Sequence, residues 1–348
     1  MDTAVEHADA ADVLGELPAA VVVSQPGAWA AILPGHPGPH RALRPTSLEE
    51  LDLERLTLPL DGSDVVGDAE VVVGIGGGLA LDTAKYVALQ RGLPLVLVPT
   101  ALSSIAPFTT EVGRRVRRQT VWAGDVGGRT VVDLDLLATA PPERNRAGAA
   151  DVIATISATW DWRLAHARDK GLPFSGRLDE IGQRCRRELG EGRDAIAHAR
   201  REGLDLLARL LADLGEACTV SGHRRLVDGS EHTFVQAYEH RLGQPRRYGE
   251  LVGLGTVAMA TLQGWYGVSA GGVADPDGAI ELLTGCKVAS NPHQLGLDEG
   301  TFRGLLRHAV RFHVGEFLPW SVLNEADLNW SAAEEMWRRC WQVPVVRG

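Results

Sequence analysis

The sequence predicts an α/β domain built on a parallel sheet over residues 1–140, followed by an all-α domain over 141–348. Three observations predict it. Short apolar runs rich in β-branched residues alternate with a helical pattern in the first part. Glycines stand directly where one of those runs meets the helix. Beyond Pro141-Pro142 the apolar residues recur at helical spacing almost to the end.

Taken in order, "AAVVVS" (19–24) reads as a strand closed by Gln25-Pro26-Gly27, and "AEVVVGIGGG" (69–78) as a second that runs into glycines. "LALDTAKYVALQRG" (79–92) is built of helix formers and stops on Gly92, a C-terminal cap. "LPLVLVPT" (93–100) is a third strand, stopped by Pro99, so the unit reads as βαβ in a parallel sheet. "GRTVVDLDLL" (128–137) supplies another strand. Arg114, Arg115, Arg117 and Arg118 alternate around Val116 and read as the decoration of an exposed hairpin. In the second part, Val152, Ile156, Trp160 and Leu164 form one helical stripe, and Leu204, Leu207, Leu211 and Leu214 another. Trp320, Trp330, Trp337 and Trp341 read as core and interface packing. An α/β domain beside a helical one implies a cleft between them.

Composition narrows the function classes. With 348 residues, 45% hydrophobic and 23% charged, the chain has room for two globular domains. A formal net charge of −10 argues against nucleic acid or an acidic membrane surface as partner. Cys185, Cys218, Cys286 and Cys340 form no CxxC pair, which excludes a zinc finger and fits a reducing compartment. The acidic start "MDTAVEHADAADVLGEL" is no signal peptide, and no apolar run reaches membrane-spanning length. The expected location is cytoplasmic.

Gly74, Gly76, Gly77 and Gly78 occupy the strand-to-helix turn. Glycine there lets backbone N–H groups approach a pyrophosphate, and the positive end of the helix favours the anion. The spacing is not GxGxxG, because Leu79 interrupts it, and a tight βα turn without ligand would use the same residues. Asp82 and Lys85 follow on the first turns, where helical position alone suggests a solvated face.

The run "GIGGGLALDTAK" resembles the GGGS-x-x-D-x-A-K segment of the dehydroquinate synthase-like and iron-containing alcohol dehydrogenase superfamily, nearest to its glycerol-1-phosphate dehydrogenases. "VPTALSS" (98–104), "VDLDLLATAPPERNRAGAAD" (132–151), "SGHRRLVDGSEHTFVQAYE" (221–239) and "LPWSVLNEADL" (318–328) are similar to further family segments in the same order. The resemblance spans roughly residues 19–330. It implies a Rossmann-like N-terminal domain and an all-α C-terminal domain, the dehydroquinate synthase-like fold. It also implies NAD or NADP held by Gly76, Gly77, Gly78, Asp82, Lys85, Thr100 and Ser103, and a homo-oligomeric assembly.

In that family a divalent cation, zinc or iron, is held by one Asp and two His and polarises the substrate oxygen. Asp151, after "AG", matches the Asp, though an N-terminal helix cap would use the same residue. His232 in "GSEH" matches the first His. The second His should precede G-E-x-x-G-x-G-T, and "YGELVGLGT" (248–256) puts Tyr248 there. Tyrosine has one oxygen and a reference pKa near ~10; it serves as metal ligand only as phenolate. His240 and Glu239 are the neighbouring alternatives. The nicotinamide loop departs too: relatives read P-T-x-x-S-x-D-G, and here Ile105 and Ala106 stand at the Asp and Gly. Arg246 and Arg247, with Arg225 beside Arg224, suit an anionic group on the substrate, since guanidinium forks match phosphate, phosphonate or carboxylate.

The leading expectation is an NAD(P)-dependent oxidoreductase acting on a small anionic alcohol or carbonyl compound, with Asp151, His232 and Tyr248 as the catalytic group. Two alternatives stay open: a dehydroquinate synthase-like lyase or cyclase, and a catalytically altered homologue that binds a nucleotide or metabolite.

Overall fold

The computed structural model describes residues 3–25, 27–32, 41–57, 64–117, 119–243, 248–266, 271–316, 318–326 and 328–346. The first part carries strands β1 (Thr3–His7), β2 (Ala20–Ser24), β3 (Ala42–Leu43), β4 (Val71–Gly76), β5 (Leu95–Pro99), β6 (Glu111–Val116), β7 (Gln119–Asp125) and β8 (Gly128–Val132). Its helices are α1 (Ala10–Gly15), α2 (Ala28–Ile32), α3 (Glu50–Thr57) and α4 (Gly78–Arg91). Beyond β8 the elements are helical. Short α5 (Leu134–Ala138) and α6 (Pro142–Arg146) lead into α7 (Ala149–Ala167), α8 (Gly176–Ala197) and α9 (Arg201–Ser221). These are followed by α10 (Ser230–Leu242), α11 (Tyr248–Tyr266), α12 (Pro276–Gly285), α13 (Glu299–Gly315) and α14 (Trp330–Cys340).

Six parallel strands form one sheet in the order β1-β8-β5-β4-β2-β3. Alternation along the apolar runs buries both faces. Val21, Val23, Val72 and Leu97 meet Leu81, Ala84 and Ala88 of α4, while Val22, Val73, Ile75 and Val98 meet Ala10, Val13 and Leu136 on the other side. A strand covered on both faces has no reason to alternate with polar residues, which is why β4 is apolar or glycine throughout. Gly74 permits the close approach of α4, because a Cβ there would lie 2.6 Å from that of Ala84. Helix α4 ends where expected, on Gly92 with φ +62.

The expected strands and helices are present, the hairpin β6–β7 among them; β1 and β3 are additional. The basic hairpin β6–β7 corrects the expectation of an exposed decoration. Arg115 pairs with Glu239 of α10 at 2.6 Å and both are largely buried, while Arg114 pairs with Glu50. Arg118 lies outside the described residues.

Helix α7 is buried on nearly every side, packed by α8, α9, α10, α11 and α12, and is the axis of the helical part. Its N-terminal end is clamped to the loop that leaves β5. The buried Asn145 accepts the Leu102 N–H at 2.8 Å and donates to Leu137 O at 2.9 Å; the Gly148 N–H donates to Leu102 O at 3.1 Å. Helix α11 enters against the same junction, where a Cβ on Gly249 would come 2.3 Å from Ala147 O. Backbone oxygen cannot yield as a side chain can. Gly249→Ala is therefore expected to cost about 1–3 kcal/mol, read as a lowered denaturant midpoint; an unchanged midpoint would mean that this helix start is not tightly seated. No helix among the described residues is long and apolar enough to cross a membrane.

Candidate active site

The glycine turn leaves the first turn of α4 uncovered. Gly76 has φ +144, a conformation that side chains rarely adopt, and its carbonyl accepts the Thr100 N–H at 3.0 Å. Gly77 caps the helix with φ −87 and ψ −173 and without a side-chain hydrogen bond. Neither Gly77 nor Gly78 would bring a Cβ within 4 Å of anything. Folding thus makes no demand for glycine at 77 and 78, while backbone N–H groups and the helix dipole face open space. Thr100 and Ser103 lie half-buried in the following loop, and their hydroxyls make no hydrogen bond among the described residues.

Lys85 corrects the sequence reading twice. It is not on a solvated face: only 1% of it is accessible. Nor is it free for a cofactor, since Nζ donates to Ala106 O, to Thr109 Oγ1 at 3.1 Å and to Glu111 O at 3.2 Å, using all three of its hydrogens. Burial lowers its pKa to about 8, against the opposing charge of Asp82. Lys85 holds the loop between β5 and β6. Asp82 is half-buried, and burial raises its pKa against the neighbouring Lys85, Arg224 and Arg115.

Asp151, His232 and Tyr248 come from three different helices; the rings of His232 and Tyr248 are neighbours, and the charge of Asp151 acts on both. Asp151, in the first turn of α7, is 3% accessible. Its Oδ2 accepts the Ile105 N–H at 2.8 Å, and its Oδ1 is buried without a hydrogen-bond partner. Burial raises the pKa of this carboxyl, with His232 the largest opposing charge. Ile105, at the loop position where relatives carry Asp, is itself buried and offers Asp151 only its backbone.

His232, in the first turn of α10, is 3% accessible. Its Nδ1 faces Glu231 Oε1 at 2.9 Å, which leaves Nε2 as the uncommitted nitrogen. Glu231 is fully enclosed and saturated: Oε1 also accepts the Gly229 N–H at 2.6 Å, and Oε2 the Ser157 hydroxyl at 2.6 Å. A carboxylate that fixes one ring nitrogen so that the other can bind is the usual support of a metal-ligating histidine. Burial opposes a charge on His232, but the carboxylates of Asp228, Glu231 and Asp151 outweigh it and raise its pKa to about 9.

Tyr248 opens α11, with its ring centroid 6.1 Å from that of His232. It keeps 38% of its surface accessible, yet loss of solvation dominates its electrostatics and raises the phenol pKa well above its usual value. The charges of Asp151, Glu239 and Asp228 push in the same direction. Glu239 and His240, the alternatives raised by sequence, are engaged elsewhere: Glu239 with Arg115 at 2.6 Å, and His240 stacked on His308 with nitrogens 3.0 Å apart.

A divalent cation suits these donors. Buried and unpartnered, Asp151 Oδ1 is the kind of acceptor that a cation satisfies, and His232 Nε2 is the second.

The anion-site expectation changes. Arg225 is 6% accessible and donates to Trp320 O at 2.9 Å, where it balances the buried Asp161. The neighbouring Arg224 is paired with Glu111 at 2.7 Å, and its charge acts on Asp82, Asp151 and Tyr248. Arg246 and Arg247 lie outside the described residues. Sequence reasoning missed Asp228, which stands 3.8 Å from His232 Nδ1; its position just before "GSEH" is the signal that could have found it.

A parallel sheet with an open glycine turn, followed by helices that carry the buried Asp151 and His232, suits an enzyme that binds a nucleotide and a cation. A family model described as iron-containing alcohol dehydrogenase matches residues 52–141. The glycerol-1-phosphate dehydrogenase [NAD(P)+] of Hyperthermus butylicus is 32% identical over 277 residues, covering 77% of this chain and 73% of the relative. That of Aeropyrum pernix is 29% identical, covering 78% and 73%. An iron-containing alcohol dehydrogenase of Corynebacterium glutamicum has the same fold, with a TM-score of 0.70 at 12% identity over 97% of this chain and 94% of that one. The chain belongs to the glycerol-1-phosphate dehydrogenase family.

Proposed function

We propose that this protein is an NAD(P)-dependent dehydrogenase that moves a hydride between the nicotinamide and the hydroxyl-bearing carbon of a small anionic alcohol of the glycerol phosphate type. The nucleotide-binding part is residues 1–140 and the helical part, holding cation and substrate, 141–348. The observation that supports the reading is the glycine turn, where a Cβ at Gly77 or Gly78 would meet nothing, with the charge of Arg224 acting both on Asp82 of the following helix and on Asp151.

Gly76, Gly77 and Gly78 receive the pyrophosphate, and Thr100 and Ser103 lie along the nicotinamide. Asp151 and His232 would hold a divalent cation, zinc or iron, which when bound draws electron density from the substrate oxygen and so eases hydride transfer at its carbon. Glu231 keeps the His232 ring oriented through Nδ1. Tyr248 offers its hydroxyl to the substrate oxygen. Arg224, with Arg246 and Arg247, supplies positive charge for the substrate anion. A cytoplasmic location and a homo-oligomer complete the proposal; the latter is read from mass in solution.

Gly77→Asp tests the cofactor part. Because nothing crowds position 77 and its backbone is extended, the variant should fold normally. A carboxylate facing the pyrophosphate removes the benefit of the helix terminus and adds repulsion, so NADH affinity should fall about tenfold or more. NADH fluorescence titration reads the change, and equal affinity of variant and wild type would place the cofactor elsewhere.

A further inference from the structure

Helix α10, which carries His232, begins on Gly229 and so has no capping side chain of its own. A Cβ at Gly229 would lie 2.8 Å from Ala158 Cα and 2.9 Å from both Asp161 Oδ2 and Glu231 Oε2, so none can stand there. The cap comes from α7 instead. Asp161 Oδ2 accepts the Ser230 N–H at 2.8 Å, and its Oδ1 accepts the Val322 N–H at 2.8 Å. Ser157, one turn earlier on the same face of α7, donates its hydroxyl to Glu231 Oε2 at 2.6 Å. Resting on the cation of the proposed function, we propose that Asp161 is a positioning residue for His232: it anchors the first turn of α10 and thereby sets the direction in which the ring presents Nε2.

Every link from Asp161 to the ring is a hydrogen bond. The Gly229 N–H donates to Glu231 Oε1 at 2.6 Å, and the same oxygen faces His232 Nδ1 at 2.9 Å. The orientation of the ring therefore follows the backbone at 229–230, and Asp161 fastens that backbone across to α7. Asp151 stands on α7 as well, so one helix governs both residues proposed to hold the cation. Asp161 is fully buried, and both its oxygens are spent on backbone N–H groups of other elements. Burial and the charge of Glu231 raise its pKa to about 6, so at neutral pH it is the carboxylate that accepts both. Val322 lies in the C-terminal segment 318–328, which has fastenings of its own: Arg225 donates to Trp320 O at 2.9 Å, and His313 Nε2 stands 2.8 Å from Asn324 Oδ1. For the Ser230 N–H, among the described residues, Asp161 is the acceptor.

The experiment strips the full-length protein with chelator, titrates Zn²⁺ against a chromophoric competitor and measures NADH affinity by fluorescence, for wild type, Asp161→Leu, Asp161→Ala and Asn324→Ala. Leucine fills the space of the carboxyl and accepts nothing. Asn324→Ala loosens the C-terminal segment but leaves the Ser230 N–H bonded, so it sets the size of a purely structural effect. Expected for both Asp161 variants is a loss of about tenfold in Zn²⁺ affinity, with NADH affinity within about twofold of wild type, and for Asn324→Ala neither change. Thermal melting identifies which variants are folded, and either Asp161 variant suffices. Folded Asp161 variants that hold Zn²⁺ as wild type does, that lose Zn²⁺ and NADH alike, or that behave as Asn324→Ala overturn the proposal. Failure of both to fold overturns it too, and makes Asp161 a structural residue of α7. A wild type that takes up no Zn²⁺ after reconstitution overturns the cation of the proposed function and this proposal with it; NADH binding in the same sample then says whether the cofactor half of that reading survives.

Discussion

Asp151→Asn is expected to lower turnover about a thousandfold, equivalent to about 4 kcal/mol of transition-state stabilisation, while leaving the fold intact or slightly firmer. Asp151 Oδ1 is buried without a hydrogen-bond partner, and burial disfavours the charged carboxylate by more than His232 and the Ile105 N–H favour it. Asparagine keeps the volume, and its amide oxygen can still accept the Ile105 N–H that Oδ2 now accepts. What disappears is the charge that a cation requires. Removing a buried charge that its surroundings on balance disfavour is neutral to stabilising for the chelator-treated protein, and the opposite signs of the two effects are the informative result. Steady-state kinetics paired with thermal melting reads both. A variant that keeps a tenth of wild-type turnover, or that melts several degrees lower without cation, would make Asp151 a structural residue of α7.

Much of this architecture was legible in the sequence, for physical reasons that also explain the omissions. The β4–turn–α4–β5 unit announces itself because strands covered on both faces need unbroken apolar runs, and because Gly74, Gly76 and Gly92 meet demands of packing and backbone conformation that glycine best satisfies. Helices α7 and α9 were readable from their stripes. Strand β1 was not. It lies at the sheet edge with exposed and half-exposed residues, and its pairing with β8 depends on residues more than a hundred positions away. The site was legible in its types and not in its directions. Asp151, His232 and Tyr248 were identified one by one; the fold sets the His232 and Tyr248 rings 6.1 Å apart and leaves Asp151 Oδ1 buried without a partner. Arg224 and Arg225 are adjacent in a turn, and only the fold decides that the first faces Glu111 and the second Trp320. Asp228 escaped because a lone acid in a turn has many ordinary uses, and its proximity to His232 is a fact of tertiary structure.

Lys85 is the clearest case of tertiary structure overriding a local reading, and Lys85→Met should have the largest effect on stability. The side chain leaves α4 into a cage of three oxygens on the loop 106–111. Methionine fills the volume but donates nothing, so two backbone carbonyls and a hydroxyl lose their partner inside the protein. At about 1 kcal/mol for each, the loss is about 3 kcal/mol, or about 4 °C in melting temperature for a chain of 348 residues. The effect should reach the site, because the same loop runs into Glu111, which holds Arg224; KM for the anionic substrate should rise more than turnover falls. Its pH dependence has a definite sign. Below about 8, Lys85 is protonated in both folded and unfolded chains; from about 8 up to the unperturbed 10.5 the folded chain has released a proton that the unfolded chain retains. The unfolded state then binds more protons, so unfolding free energy gains a positive slope with pH from this residue. Lys85→Met lacks that slope, and its deficit relative to wild type should widen between about pH 8 and pH 10 in denaturant melts. A deficit that is constant or shrinks across that interval would mean that the ammonium keeps its proton in the cage.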